Sequence, residues 1–567
     1  MTKGYFNLIL HSHLPWVLSH GRWPHGTDWL NEATSECYLP LLRMLNRLMA
    51  KGIAPKITMG ITPVLTEQLK HQAFTEEFEG YLKSHVNSSA DDIKRFAAKG
   101  ETNMAELARM WEGFYKTNLE DFTEKYNRDI AGAFADIQNK DGIEIITCAA
   151  THGYLPLIGS DRCVAAQIKG GVATYAKHYG REPRGIWLPE CAYRPAYRWS
   201  YPIEGMGEPY DRKGVEEFLF DAGLSYFIVD SHLLTGGRAI GAYVDRYEAL
   251  KRLWGQFERS YTQVGRQPKT PRSTYLVASG EKSNKACGIL VRDPATGLQV
   301  WSGEYGYPGD GNYLEFHKKH WPSGNRYWKV TSAKSDLGDK KVYDPTVISG
   351  RIEENASHFA GLIYNLAMEH YQAMGKPGVV TAPFDAELFG HWWFEGPSFL
   401  ERVIEILSEN PDITLVTGSE AFEAVPPKEI ITIPEGSWGE GGFHWIWFNE
   451  QNSWTWKHIY SAENRFLDLL GRFNKKPSQD AKRVMLQLGR ELLLLQSSDW
   501  QFLISTWAAR DYAENRLANH SAVFLEIADI AQRCMDNGGL PETDSARLEE
   551  AESMDDVFPH LDLRWWD

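Results

Sequence analysis

The chain has few cysteines and no long runs of positive charge. Its six cysteines are spread over 567 residues and none forms a CxxC pair, so neither a disulfide framework nor a thiolate zinc site is indicated. This pattern is typical of a reducing, cytoplasmic compartment. A surface that binds nucleic acid or an anionic membrane needs clustered cations, whereas this chain carries a formal net charge of −15. A neutral substrate therefore fits the composition better.

Long apolar segments are missing as well. No uninterrupted apolar stretch approaches the roughly 18 residues that a membrane-spanning helix needs. The apolar run near the N-terminus is interrupted by His11 and His13, and no small-residue cleavage site follows it. We therefore interpret this run as a first strand rather than a signal peptide. We expect a cytoplasmic protein, monomeric and without membrane association.

Short apolar runs bounded by turn residues indicate an α/β fold. Helical patterns such as "FLERVIEILSEN" at 399–410 alternate with these runs, as they do in parallel βα units. Periodicity alone does not distinguish an open doubly wound sheet from a closed barrel. In either case the ligand site lies at the C-terminal ends of the strands. The predicted strands are seven: 5–10, 57–60, 143–148, 185–188, 226–229, 379–384 and 413–416.

Two long segments interrupt this alternation. Residues about 66–140 are polar and predict a helical insertion, and residues about 235–350 are rich in Gly, Pro, Tyr and Trp. Loops of that length are usually functional or disordered, and the aromatic content disfavours disorder, so we interpret 235–350 as a lid over the site. The strand signal ends near residue 425. We expect a catalytic unit over 1–425 and a C-terminal helical domain over 426–567.

Polar and aromatic residues follow several predicted strands at the point where each strand ends. The exits read "HSHLPW", "THGYLP", "PECAYRP" and "DAELFGHWW", and four such exits together indicate an active site. Glu190 leaves its strand near Arg194, which favours an ionised carboxylate able to act as a nucleophile or base, or else a plain ion pair. Asp385 and Glu387 share one strand parity, so their spacing does not say which faces the substrate.

Two facing carboxylates beside aromatic side chains are the groups that cleave glycosidic bonds. A competing interpretation uses His11 and His13 with Asp385 as metal ligands, as in a metal-dependent polysaccharide deacetylase. An HxH pair without a clear third and fourth ligand is a weak signal, so we expect no metal and no cofactor. A glycan-binding protein without turnover would keep the aromatics but would not need matched acids.

Five motifs in order resemble glycoside hydrolase family 57, and within it the 1,4-α-glucan branching enzymes. They are "HSHLPW" at 11–16, "HGYLPL" at 152–157, "GIWLPECAYRP" at 185–195, "APFDAELFGHWWFEGP" at 382–397 and the aromatic region "SWGEGGFHWIWFNEQNSWTW" at 437–456. The resemblance covers nearly the whole chain. It implies an incomplete (β/α)7 barrel followed by a helical domain that helps to build the cleft.

The resemblance also implies roles for individual residues. Glu190 is the expected nucleophile, Asp385 the general acid/base and Glu387 a supporting group, while Glu395 is structural. Ala508 departs from the family, whose branching enzymes tend to carry a glutamine contact there. The expected substrate contacts are His11, His13, Trp23 and His152 in the donor subsites, Tyr243 on a flexible loop, and Arg292, Gly309, Trp438 and Asp499 elsewhere in the cleft.

The activity that the resemblance implies is that of a retaining branching enzyme. It cleaves a linear α-1,4-glucan, forms a glycosyl-enzyme and passes the chain to a 6-hydroxyl without a cofactor. An α-amylase and a 4-α-glucanotransferase on the same scaffold are the nearest alternatives.

Overall fold

The structure is a computed structural model and describes residues 2–235, 269–280, 284–302 and 306–567. Tyr243 and the first part of the expected lid lie outside these residues.

Seven parallel strands form the centre of the fold. They lie in the order β10-β1-β2-β3-β4-β7-β9. The two ends of this row meet, because Arg292 just beyond β9 forms a parallel bridge with Thr381 of β10, and the Asp293 N–H donates to the Thr381 carbonyl at 2.9 Å. The sheet is therefore curled into the incomplete barrel that the motifs implied. The strands are β1 (Gly4–Ser12), β2 (Ile57–Ile61), β3 (Ile143–Cys148), β4 (Gly185–Trp187), β7 (Tyr226–Val229), β9 (Cys287–Val291) and β10 (Val379–Asp385).

The seventh barrel strand differs from the prediction. The run at 413–416 gives β11 (Ile413–Leu415), which in the described part of the chain pairs with the start of β1 and lies beside the barrel path. Its place is taken by β9, whose five residues are all buried and whose signal lies inside the segment interpreted as a lid. Part of that segment therefore belongs to the barrel. The smaller strands are β5 (Tyr197–Trp199), β6 (Tyr210–Arg212), β8 (Tyr275–Val277) and β12 (Ile430–Ile431).

Helices surround the sheet and dominate the C-terminal part. The insertion at 66–140 is helical in the structure, and its two long helices α4 and α5 pack against each other. The helices up to residue 425 are α1 (Thr27–Ala33), α2 (Leu39–Ala50), α3 (Pro63–Lys70), α4 (Gln72–Ala98), α5 (Thr102–Glu120), α6 (Ile130–Asn139), α7 (Asp161–Tyr179), α8 (Val215–Asp221), α9 (Ser231–Thr235), α10 (Pro294–Trp301), α11 (Ile348–Met374), α12 (Gly396–Ser408) and α13 (Gly418–Ala424). Those that follow are α14 (Ser453–Lys475), α15 (Gln479–Leu495), α16 (Asp499–Thr506), α17 (Arg510–Asn537) and α18 (Glu542–Met554).

One large hydrophobic cluster joins the barrel helices to the C-terminal helices. It runs from Phe6 on β1 to Trp566 near the C-terminus. Its bulkiest members are fully buried, among them Trp16, Trp111 and Trp456, and each such ring removes a large apolar area from water. Over the described ranges, none of the helices combines the length and the apolar character that crossing a bilayer requires.

Candidate active site

The C-terminal ends of the barrel strands open into one cavity of about 400 Å³. Parallel pairing of β1 with β10 places His11 directly beside Asp385. All four strand exits predicted to form the active site supply residues to this cavity. The cavity is lined by His11, His13, Leu14, Pro15, His25, Trp29, Glu32, Ala33, His152, Glu190, Phe316, Asp385, Glu387, His391, Trp392, Trp438, Gly439, Ile446, Trp447, Asp499, Phe502, Leu503, Ala508 and Ala509.

Glu190 lies in a tight turn directly after β4. Its φ of 62° is in the left-handed region, which a residue other than glycine adopts at a cost. The Trp438 N–H donates to the Glu190 carbonyl at 3.0 Å, and the Trp438 indole Nε1–H donates to Glu190 Oε2 at 2.9 Å. The Ser498 hydroxyl donates to Glu190 Oε1 at 3.4 Å. The turn and these two side chains fix the direction of the carboxylate.

Burial raises the pKa of Glu190 to about 8, and the negative charges of Asp385 and Asp499 act in the same direction. The hydrogen bonds from Trp438 and Ser498 oppose this shift, because they stabilise the ionised form. The expectation that Arg194 keeps Glu190 ionised is wrong. Arg194 is buried and donates to the Pro195 carbonyl at 3.1 Å. Its guanidinium lies 3.9 Å from Asp161, so its ion-pair partner is Asp161 rather than Glu190.

Asp385 ends β10 and lines the cavity, and Glu387 follows it in a short helical turn. The Tyr38 hydroxyl and the His13 N–H both donate to Glu387 Oε1, at 2.5 Å and 3.1 Å. Burial raises the pKa of Glu387 to about 8, with a further contribution from the charge of Asp385. One Glu387 oxygen is thus held by two protein donors, which fits a supporting role beside Asp385 at the cavity wall.

The three predicted histidines form one stacked cluster. The rings of His13 and His152 lie 3.9 Å apart, and His11 stacks on Trp187 at 4.6 Å. The Nε2 atoms of His11 and His152 are 3.2 Å apart. Burial holds the pKa of His11 and of His152 well below the usual value, so these rings are neutral near pH 7 and can offer hydrogen bonds to hydroxyl groups.

Asp499 at the start of α16 connects the C-terminal helices to this cluster. His13 Nε2 lies 2.9 Å from Asp499 Oδ2, and the Ser497 hydroxyl donates to the same oxygen at 2.5 Å. Although burial opposes it, the charge of His13 lowers the pKa of Asp499 to about 2. His13, His152 and Asp499 also present ligand atoms within 4.8 Å of one another. This set differs from the His11, His13 and Asp385 set that the sequence suggested.

Several predicted contacts lie away from the cavity wall. Arg292 is buried in an ion pair with Asp230, its guanidinium lies 6.0 Å from the centre of the Trp438 ring, and it is not among the lining residues. Gly309 ends a short helical turn over Tyr307–Gly309 and does not line the cavity. Trp23 is 78% exposed and is not a lining residue, although His25 nearby is. Tyr243 lies outside the described residues. Substrate contact at these four positions stays a prediction.

The residues that the sequence did not reveal come from helices and aromatic turns. Ser498 directly precedes α16 and donates to Glu190, and Phe502 lies on α16 and lines the cavity. No local sequence pattern connects either residue to a strand exit. Trp392 and Trp447 are different, because both stand in the aromatic motifs quoted above and could have been found there. Glu395 lies outside the cavity wall, just before α12, where the Tyr343 hydroxyl donates to its Oε1 at 2.7 Å.

Comparison with known proteins gives consistent results. The model of glycosyl hydrolase family 57 matches residues 7–319, and that of the 1,4-alpha-glucan branching enzyme C-terminal domain matches 458–566. A 1,4-alpha-glucan branching enzyme of Thermococcus kodakarensis is 42% identical over 556 residues, which are 98% of this chain and 77% of that protein. The crystal structure of a family 57 branching enzyme from that archaeon superposes with a TM-score of 0.89 at 40% identity, covering 100% of this chain and 96% of that one. The crystal structure of the alpha-amylase AmyC from Thermotoga maritima superposes with a TM-score of 0.80 at 30% identity, covering 99% of each chain.

Proposed function

The chain belongs to glycosyl hydrolase family 57, and on this premise we propose that it is a 1,4-α-glucan branching enzyme. It would cleave an α-1,4-glucan and transfer the released chain to a 6-hydroxyl group of another glucan. The observation that carries this proposal is the match of residues 458–566 to the C-terminal domain of branching enzymes. That region supplies Asp499, Phe502 and Leu503 to the cavity, so the part that resembles branching enzymes also shapes the reaction site.

The proposed reaction has two steps at the same carbon. Glu190 attacks C1 of the donor sugar while Asp385 gives its proton to the leaving oxygen, so one glycosidic bond breaks and a glycosyl-enzyme ester forms. Asp385, now ionised, removes the proton of the acceptor 6-hydroxyl, whose oxygen displaces Glu190. The two inversions give net retention and restore both groups. Neutral His11 and His152 would bind sugar hydroxyls beside the reacting bond.

Metal is not required in this scheme. The ligand atoms of His13, His152 and Asp499 are already bonded within the protein, since His13 Nε2 faces Asp499 and His152 Nδ1 lies 2.8 Å from the Ser498 hydroxyl. We expect prolonged treatment with a strong chelator to leave the rate of branch formation unchanged. Stoichiometric zinc by elemental analysis, together with loss of activity on its removal, would instead favour the deacetylase interpretation.

An α-amylase is the second candidate, because the chain superposes along its full length on the alpha-amylase AmyC. The two activities share the glycosyl-enzyme and differ in what attacks it, either an acceptor hydroxyl or water. Transfer prevails when the site holds an acceptor in place and limits water. The apolar walls formed by Trp29, Trp392 and Phe502 favour transfer.

The decisive experiment uses amylose as the only substrate. We expect the protein to produce α-1,6 linkages visible by proton NMR and side chains that a debranching enzyme releases, with few new reducing ends beforehand. Glu190→Gln and Asp385→Asn should each lower both signals by several orders of magnitude without changing the melting temperature by more than a few degrees. Reducing ends formed at the rate of bond cleavage, without α-1,6 linkages, would replace the branching assignment with the amylase one.

The biological setting follows from the same proposal. A branched α-1,4/α-1,6 polymer is a compact storage glucan, so we place the protein in glycogen-type biosynthesis in the cytoplasm. We also propose that it acts as a monomer, because the residues needed for the two steps all come from one chain. Size-exclusion chromatography with light scattering would test this last point.

A further inference from the structure

Trp507 has an unusual backbone conformation and an exposed ring. It directly follows the last residue of α16, with φ of 60° and ψ of 16°. The residue that ends a helix in this left-handed conformation is usually glycine, because a side chain there is strained. Trp507 is nevertheless 59% exposed. Neither helix capping nor core packing explains a large aromatic side chain at this position.

The strained position lies between two stretches that line the active-site cavity. Phe502 and Leu503 precede Trp507 on α16, and Ala508 and Ala509 follow it, and all four line the cavity. The next helix, α17, begins at Arg510 and carries Tyr512. The cavity-lining rings of His25 and Trp29 contact Tyr512, with ring centres 5.8 Å and 5.3 Å away. The Trp507 turn is therefore part of the cavity rim, on the side built by the C-terminal helices.

Two neighbours hold the ring in a fixed orientation. The Trp507 indole Nε1–H donates to Gln451 Oε1 at 3.0 Å. The Arg510 guanidinium lies over the ring, 4.8 Å from its centre, in a cation–π contact that covers part of one face. Arg510 is itself oriented by Glu514, at 2.7 Å from its Nε atom. A ring fixed at its edge and supported from one side, yet still mostly exposed, is a rigid apolar platform at the rim.

We infer that Trp507 is a stacking platform for the acceptor glucan chain. This inference rests on the proposed function, since the acceptor exists only if the glycosyl-enzyme is passed to another glucan. The apolar face of a glucose ring, made of C–H groups, matches a flat aromatic ring. The deep end of the cavity, formed by buried histidines and Glu190, holds the donor sugar. An acceptor must enter from solvent while the glycosyl-enzyme is in place, and an exposed ring at the rim is where it would first bind.

The test separates acceptor binding from donor cleavage. The full-length protein is given saturating amylose as donor and increasing amounts of a maltooligosaccharide labelled at its reducing end as acceptor. Labelled α-1,6-branched product, total α-1,6 linkages and new reducing ends are measured, and donor cleavage is the sum of the last two. We expect Trp507→Ala to raise the acceptor concentration for half-maximal transfer about tenfold, which corresponds to about 1.4 kcal/mol. The rate of donor cleavage should change less than twofold, and Trp507→Phe should restore most of the acceptor affinity.

A stability measurement distinguishes this role from a structural one. Glycine fits the backbone at Trp507 without strain, so Trp507→Gly should melt at the same temperature as the wild type or higher, and still lose acceptor affinity. Trp321 is 85% exposed and does not line the cavity, so Trp321→Ala is the matched control and should leave transfer unchanged.

The failures can be told apart. If the wild type forms branched product and Trp507→Ala transfers to labelled acceptor with unchanged half-saturation, the platform does not exist although the proposed function stands. If donor cleavage falls as much as transfer, the residue serves the donor or the fold, and the acceptor assignment is wrong. If the wild type forms no α-1,6 linkages either within amylose or on the labelled acceptor, the proposed function and this inference both fail. If it branches amylose but transfers nothing to the labelled acceptor, only this inference fails.

Discussion

At the scale of single residues, the charge state of Glu190 depends on opposing interactions. Burial raises its pKa to about 8, and the Trp438 indole N–H at 2.9 Å opposes that shift. Removing this donor in Trp438→Phe keeps an aromatic ring but destabilises the ionised carboxylate, so the pKa of Glu190 should rise further. The reaction needs ionised Glu190. The acid limb of kcat/KM against pH should therefore move to higher pH, by about one unit for a hydrogen bond worth about 1.4 kcal/mol.

Trp447→Phe is the matched control for this prediction. Trp447 lines the same cavity, and its indole nitrogen is buried without a hydrogen-bond partner in the described part of the chain. Its replacement should lower kcat/KM at all pH values without moving the limb. If the limb stays in place in Trp438→Phe as well, the group that controls it is not Glu190.

Glu395 gives a prediction about stability rather than activity. Burial raises its pKa from 4.5 to about 7, against the hydrogen bonds from Tyr343 and the Leu314 N–H. The unfolded chain ionises first, so this contribution to stability is complete below about pH 4.5 and is lost as the pH rises through about 7, by about 3 kcal/mol in all. Glu395→Gln cannot ionise. Its melting temperature should fall less between pH 5 and pH 8.5 than that of the wild type.

Glu423 provides the comparison, because its side chain is 70% exposed on the surface. Glu423→Gln should leave the wild-type pH dependence of melting unchanged. Equal slopes for the wild type and Glu395→Gln in a thermal melt series would show that Glu395 does not titrate in this range.

The sequence predicted the strand-exit part of the site better than the helical part. His11, Glu190 and Asp385 follow apolar runs, and the topology of a parallel sheet brings such exits together. Ser498 contacts Glu190 from 308 positions away in the chain, and Tyr38 contacts Glu387 from 349 positions away. No spacing rule connects residues so far apart. The same limit explains the wrong expectation for Arg194, whose sequence neighbour Glu190 turns away through a left-handed conformation.

At the scale of elements, close contact between α7 and β3 fixes how one helix packs on the barrel. A Cβ at Gly171 of α7 would lie 2.0 Å from the Cys148 carbonyl oxygen at the end of β3. Gly171→Ala would therefore force the helix away from the strand whose exit carries His152. We expect a loss of about 1–3 kcal/mol in the free energy of unfolding, measured by denaturant titration, with reduced activity.

Gly113 on α5 is the matched helical control, because a Cβ there would meet no described atom within 4 Å. Gly113→Ala should stabilise the protein by about 0.5–1 kcal/mol through helix propensity. If Gly171→Ala proves as stable as the wild type, then α7 does not depend on this contact for its position.

Strand prediction missed the short strands β5, β6, β8 and β12, and it placed the run at 413–416 in the barrel instead of β9. The run "CGILV" at 287–291 is short and lies within a segment rich in glycine and aromatics, so its local signal was weaker than that of its neighbours. Its place in the barrel is fixed by pairing with β7 along four residues, a long-range contact that no local window contains.

At the scale of the whole molecule, the barrel and the C-terminal helices meet through polar contacts as well as the shared core. Gly153 near the end of β3 bridges to Ser497, Gln167 of α7 donates to Gln496 at 3.1 Å, and His13 contacts Asp499 at 2.9 Å. The active site lies at this junction. We therefore expect the predicted boundary at residue 425 to separate two parts of one folding unit.

This arrangement predicts a single unfolding transition by differential scanning calorimetry. Leu488 of α15 is fully buried and belongs to the hydrophobic cluster that also contains Phe6 of the barrel. Leu488→Ala should cost about 2–5 kcal/mol. If the core is cooperative, the whole transition moves to lower temperature, and barrel and C-terminal helices unfold together.

Leu525 of α17 is 51% exposed, so Leu525→Ala is the control and should leave the transition in place. Two transitions in the wild type, of which Leu488→Ala moves only one, would mean that the C-terminal helices are stable alone. In that case the contacts of Asp499 and Ser498 with the barrel are a docking interface rather than part of one folding unit.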